Sequence, residues 1–175
     1  MSEALALGCT VWNTAGHKDA WLKARLPLEG LERRVMGIEP ALSIHAAQAV
    51  GFPYLLCLYR WETRRLGMRR QELMSCLVDR CQGVSTTLED VEFGDPLASA
   101  ALPSPELDTP PLERKARHHV MQVRRHRLKR RGATRLELVR CQAVRKPLWL
   151  VTGHHAQHGE LELLIDGING GYYLM

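Results

Sequence analysis

The stretch ALSIHAAQAVGFPYLLCLY, residues 41–59, decides the fold. It is long enough to cross a bilayer, and Arg60, Arg64 and Arg65 follow it. Yet Ser43, His45, Gln48, Gly51 and Pro53 are a heavy polar load for a lone span. It therefore reads as a pair of buried helices, broken at Gly51-Phe52-Pro53, and no membrane partner is expected. Glu39-Pro40 opens the first of them, because proline is tolerated in a first helical turn.

Working outward, a helix is expected from Pro53 to about Leu66, a turn at Gly67-Met68, and a third helix over Arg69–Gln82. Leu73, Cys76, Leu77 and Arg80 in that third segment stand at i, i+3, i+4, i+7. Helix, glycine turn and helix also fit a helix-turn-helix, with Thr63, Gly67 and Leu73 at suitable intervals. Arg69, Arg70 and Gln71 would then open a recognition helix. Plain helix packing satisfies the same pattern. Upstream, HKDAWLKARL and LEGLERRVMG read as helical, with Gly37 as a stop, and residues 4–13 as a short strand.

Residues 84–112 change character: five of the nine prolines, no basic residue, and acids at Glu89, Asp90, Glu92, Asp95, Glu106 and Asp108. This composition predicts a linker, mobile at least from Asp95 onward. Beyond it the spacing predicts a basic helix over about 112–131, stopped by Gly132. Strands over 134–142, 146–152, 160–166 and 171–175 follow as an antiparallel meander. The expected class is α+β: a helical N-terminal part (1–83), an acidic Pro-rich linker (84–112), then a basic helix leading into a small antiparallel sheet (113–175). The two flanking parts either stand apart or share one core.

Charge carries the functional expectation. Between Arg114 and Lys146 lie 13 of the 24 Lys and Arg residues and one acid, Glu137. That segment is +12, the whole chain is +5, and the remainder is therefore −7. Such a local field attracts a polyanion, and counterion release makes nucleic acid the first candidate. Leu112, Ala116, Val120 and Val123 form a narrow apolar face on the basic helix. The expected phosphate contacts are Arg114, Lys115, Arg117, Arg124, Arg125, Arg127, Lys129, Arg130 and Arg131, with Arg69 and Arg70 from the helix-turn-helix reading. The acidic linker is a cis competitor that would shield this surface. The alternative is a structural or interaction subunit docking an acidic protein partner, with residues 41–59 packed on a neighbour.

Six of the eight histidines follow residue 117. His154, His155 and His158 are the candidate metal ligands, although the loop lacks a HExxH glutamate and any nearby cysteine. With His118, His119 and His126 they also suggest a metal-independent ribonuclease using imidazoles as acid and base. No Walker loop or GxGxxG is present, DGINGG lacks the ligand spacing of a calcium loop, and no catalytic residue or cofactor is assigned. Trp149, Tyr172 and Tyr173 would stack bases if exposed beside Arg140, Arg145 and Lys146, and Trp149 reads better as core. Cys9, Cys57, Cys76, Cys81 and Cys141 are odd in number and form no CxxC pair. With no basic, apolar leader at the N-terminus, they suggest a reducing compartment, the cytoplasm, and no disulfide framework.

Overall fold

The computed structural model describes residues 19–65, 68–127 and 135–175, and it is mostly sheet. The strands are β1 (Ala20–Leu22), β2 (Leu42–Arg65), β3 (Met68–Asp79), β4 (Ser85–Leu88), β5 (Phe93–Gly94), β6 (Arg135–His155), β7 (Gly159–Asp166) and β8 (Tyr172–Leu174). The helices are α1 (Leu31–Ile38) and α2 (Thr109–Arg127), with one short 3-10 turn at Leu28–Gly30. The expected helical N-terminal part is thus overturned: residues 42–59 lie within a single long strand. Among the described residues no helix is long and apolar enough to cross a membrane.

The reason lies in burial on both faces. Leu55, Cys57, Tyr59 and Trp61 point into one core, while Tyr54, Leu56 and Leu58 point into another. A doubly buried strand is a continuous apolar run, and periodicity cannot tell it from a buried helix. The same ambiguity explains β3. Cys76 faces the first core and Leu77 the second, so their helical spacing is a coincidence of two faces. The helix-turn-helix reading falls with it, since residues 54–65 pair antiparallel with 68–79 and Arg69 and Arg70 belong to a strand, while Gly67 lies outside the described residues.

Gly51 and Pro53 have structural reasons other than a helix break. A Cβ at Gly51 would overlap the Trp21 indole. The carbonyl of Pro53 accepts from Arg80 N at 3.0 Å, so residue 53 faces the side where β3 has already turned away. A missing N–H there breaks no ladder bond.

The sheet runs β4-β3-β2-β6-β1-β5, with β7 also paired to β6 and β8 to β7. Only the β1–β6 pairing is parallel among these named strands. Leu88 from β4 and Phe93 from β5, at opposite ends of that order, pack around the same buried Leu22, Leu56, Leu77 and Val144. The sheet therefore curls on itself. The Pro-rich stretch is part of it: it supplies β4 and β5, and Ala101 bridges to β2 through Ala101 N to Ala49 O (2.9 Å) and Gly51 N to Ala101 O (2.8 Å). Composition misled here because prolines sit between short pairings, not within them. The two expected strands at 134–142 and 146–152 are one strand, β6, while β7 and β8 lie close to where the turns placed them.

The two helices cover separate cores. α1 buries Leu31 and Val35 against Ala49, Trp149, Val151 and Ile165. α2 buries Leu112, Ala116 and Val120 against Cys57, Tyr59, Cys76 and Val78. Residues from both sides of the Pro-rich stretch share these cores. A buried ion pair, Lys146 Nζ to Asp166 Oδ2 at 2.6 Å, ties β6 to the turn after β7, where Asp166 Oδ1 accepts from Ile168 N at 2.8 Å. Leu112→Ala should lower the unfolding free energy by about 2–5 kcal/mol in chemical denaturation. A loss within about 0.5 kcal/mol, the range of an ordinary surface change, would show that α2 is not docked as described.

Candidate nucleic-acid interface

α2 starts in the Thr109-Pro110-Pro111 segment, where proline needs no intrahelical partner. Its apolar stripe matches the sequence expectation. Leu112, Ala116 and Val120 are fully buried, Val123 is partly covered, and Tyr59 Oη donates to the carbonyl of Glu113 at 3.2 Å. Anchoring one face fixes the others outward. Arg114, Lys115, Arg117 and Arg125 are exposed, and among the described residues none makes an ion pair. Arg124 differs. Its guanidinium stacks over Trp61 at 3.9 Å, its Nη1 is buried without a hydrogen-bond partner, and burial pulls its pKa below the usual guanidinium range. Lys129, Arg130 and Arg131 lie outside the described residues.

Two carboxylates of the acidic stretch turn elsewhere. Glu92 meets Lys23 at 2.9 Å and Arg25 at 3.0 Å, and Asp90 reaches Arg25 at 3.9 Å. The hydrogen bond and charge of Lys23 hold the Glu92 carboxyl below its usual range. These contacts lie at β1, not on α2.

A second cationic region assembles at one end of the sheet. The β2–β3 register sets Arg64 opposite Arg69 and Thr63 opposite Arg70, and the β2–β6 register sets Glu62 opposite Arg135. The last turn of α2 arrives at the same end, since Arg124 covers Trp61. Residues 60–65, 68–72, 124–127 and 135–140 together hold ten arginines and three glutamates. The structure thus brings Arg69 and Arg70 to the end of the sheet that receives Arg124, Arg125 and Arg127, while Arg114, Lys115 and Arg117 lie along the earlier turns of α2. Arg145 and Lys146 are structural instead. Arg145 pairs with Asp19 at 2.8 Å and donates to the carbonyls of Gly51 and Pro103.

Between α2 and the turn joining β3 to β4 lies an open groove of about 520 Å³. Gly83 and Ser85 form one wall, and Arg114, Lys115, His118 and His119 form the other. Among the described residues no carboxylate lines it.

The candidate histidines with described side chains fall into two separate groups, and the His126 side chain lies outside the described residues. His118 and His119 are on α2, while His154, His155 and His158 sit at the β6–β7 turn, beyond the rungs that α2 covers. His155 is buried, and its Nδ1 accepts from the backbone N–H of Gln157 (3.1 Å) and of His158 (3.2 Å). The proton therefore sits on Nε2, which faces Glu39 at 3.4 Å. His158 stacks on His155, and His154 and His45 both approach Glu160. Among the described residues no three His, Cys, Asp or Glu side chains are grouped to hold a metal ion.

Trp149 is core, as expected, with Nε1 donating to Leu26 O at 3.0 Å, whereas Tyr172 and Tyr173 are exposed. Sequence reading missed the cysteines. Cys76, Cys57 and Cys141 are register partners on β3, β2 and β6, and the Sγ atoms of Cys57 and Cys141 are 3.4 Å apart. Only strand pairing could have revealed this row, because its members lie far apart along the chain.

No protein-family model, curated protein or solved structure matches this chain. His155→Ala should cost about 1–3 kcal/mol in urea denaturation, since it strips two backbone donors of their acceptor. His154→Ala should stay within about 0.5 kcal/mol as an exposed change, and equal effects would refute the structural role of His155.

Proposed function

We propose that this chain binds nucleic acid through the open faces of α2 and the arginine-rich end of the β2–β3 hairpin. The observation that carries this reading is the division of α2. Its apolar stripe is consumed by the core, and Arg114, Lys115, Arg117 and Arg125 are left exposed, without carboxylate partners among the described residues. Guanidinium forks match phosphate oxygens, and releasing condensed counterions drives the association. The arginines that β2, β3 and β6 bring to one end of the sheet add to the same field. Contacts of this kind position a phosphate backbone and do not read bases.

The other readings draw less support. A protein-interaction subunit would have used residues 41–59 as a docking face, but Tyr54–Tyr59 lie between β3 and β6, which leaves the exposed His45–Gln48 stretch open. Ribonuclease chemistry needs two imidazoles free to exchange protons at one phosphate; His155 is committed to its own turn, and of the neighbouring His118 and His119 the latter has its Nε2 buried. The cytoplasm remains our assignment of compartment. It rests on cysteines that are free among the described residues, Cys57 and Cys141 being in contact without a bond.

The test is a salt titration of binding to generic duplex DNA and single-stranded RNA by fluorescence anisotropy. Affinity should fall steeply with salt, and each removed phosphate contact should reduce the duplex log–log slope by about 0.9. The variant Arg114→Ala/Lys115→Ala/Arg117→Ala/Arg125→Ala should therefore flatten the slope markedly while its far-ultraviolet spectrum is kept. No binding at low salt, or a slope unchanged in the variant, would overturn the reading.

A further inference from the structure

We infer that the groove between α2 and the β3–β4 turn is a site for a phosphate group. The inference rests on the nucleic-acid reading and assigns one subsite within it. The turn is a rigid floor. The carboxylate of Asp79 accepts from the backbone of Cys81 at 2.6 Å and of Gln82 at 3.2 Å, and Gly83 N donates to Asp79 O at 2.9 Å. Arg80 clamps the same turn: its N donates to Pro53 O, and its carbonyl accepts from Glu106 and Leu107.

Gly83 adopts φ 72°, a left-handed conformation natural to glycine. It also has no Cβ, and a Cβ there would collide with the Lys115 ammonium. Lys115 is thus laid across the turn beside Ser85, and Arg114 and His118 stand next to it on α2. A guanidinium, an ammonium, an imidazole and a hydroxyl then line a space that no carboxylate of the described residues enters. This donor set fits phosphate oxygens. His119, in the same wall, has a buried Nε2 without a partner, and burial holds its pKa below the usual imidazole range.

Three sources share this chemistry: a terminal phosphomonoester, a bridging phosphodiester and free phosphate. The experiment follows the His118 and His119 ring resonances by NMR during addition of inorganic phosphate at constant ionic strength, then of single strands with a 5′-phosphate or a 5′-hydroxyl. Both imidazoles should shift, and Lys115→Ala should abolish the shift. A terminal phosphate as occupant gives about tenfold tighter binding of the 5′-phosphorylated strand, a difference of about 1.4 kcal/mol. Equal binding of both strands, weakened alike by Lys115→Ala, assigns the groove to a bridging phosphodiester. Strands that bind without moving either imidazole refute the groove and leave the nucleic-acid reading standing. Phosphate that binds while no strand does keeps the groove and refutes that reading. Silence in every arm overturns the proposal.

The row of thiols beneath α2 carries a second inference. We propose that a small-molecule disulfide converts Cys57 and Cys141 into a protein disulfide. Cys57 is fully buried, Cys141 is partly exposed, and their sulfurs are already in contact at 3.4 Å. The Cys141 thiolate attacks the reagent disulfide and expels one thiolate. Cys57 then loses its proton and attacks the Cys141 sulfur, expelling the second. Two protein thiols and one disulfide become one protein disulfide and two small thiols. Contact with Cys141, then burial, push the Cys57 thiol up, so the closing step is slow at neutral pH and quickens as pH rises.

Oxidised glutathione and peptide mapping test this. The expected product has lost two hydrogens, carries no glutathione and links Cys57 to Cys141. Cys76→Ser retains it and Cys141→Ser abolishes it. A persistent adduct, a bond to Cys76, or a folded protein that does not react overturns the proposal.

Discussion

Leu112, Ala116 and Val120 seat α2 on the sheet, and the rest of the molecule's behaviour depends on that contact. Each is fully buried, facing Cys57, Tyr59, Cys76 and Val78. Burying aliphatic side chains of this size contributes of the order of 1–3 kcal/mol apiece, enough to hold the helix in one rotational setting. That setting decides which charges meet solvent. A helix carrying this many cations cannot bury a second face without stranding them. The packing of three apolar residues thus presents the cations to a ligand.

The same contact links chemistry that is distant in sequence. It holds the Lys115 side chain across Gly83, lays Arg124 on Trp61 and covers the Cys76–Cys57–Cys141 row. The sheet beneath supplies a firm base because β2 from Tyr54 to Trp61 is paired on both edges and buried on both faces. At one end the pairing gathers arginines from β2, β3 and β6. Midway along the sheet, Arg145 and Lys146 are spent on Asp19 and Asp166. Cations of a single run in the sequence therefore divide into structural and open groups, and the division follows burial.

What the sequence disclosed and what it hid can be traced to particular residues. The apolar stripe of α2 was legible because one face of that helix is buried and its period survives. β7 and β8 were legible because glycines and turn residues bracket them. The long strand β2 was not, because Tyr54–Trp61 feeds two cores at once and erases the alternation that marks a strand. Residues 84–112 were misread for the opposite reason. Their β4 and β5 pairings are too short to imprint a pattern among prolines and acids. The candidate site was half visible: Arg114 to Arg125 by charge alone, Arg69 and Arg70 by a helix that proved to be a hairpin. The walls of the groove and the thiol row needed the fold.

The most direct test of this account is NMR of the arginine Nε–Hε groups during titration with a short oligonucleotide. Arg114, Arg117 and Arg125 should shift and lose solvent exchange, while Arg145, held by Asp19, Gly51 and Pro103, stays unmoved. Unchanged α2 arginines at saturating oligonucleotide, or a response confined to Arg145, would contradict it.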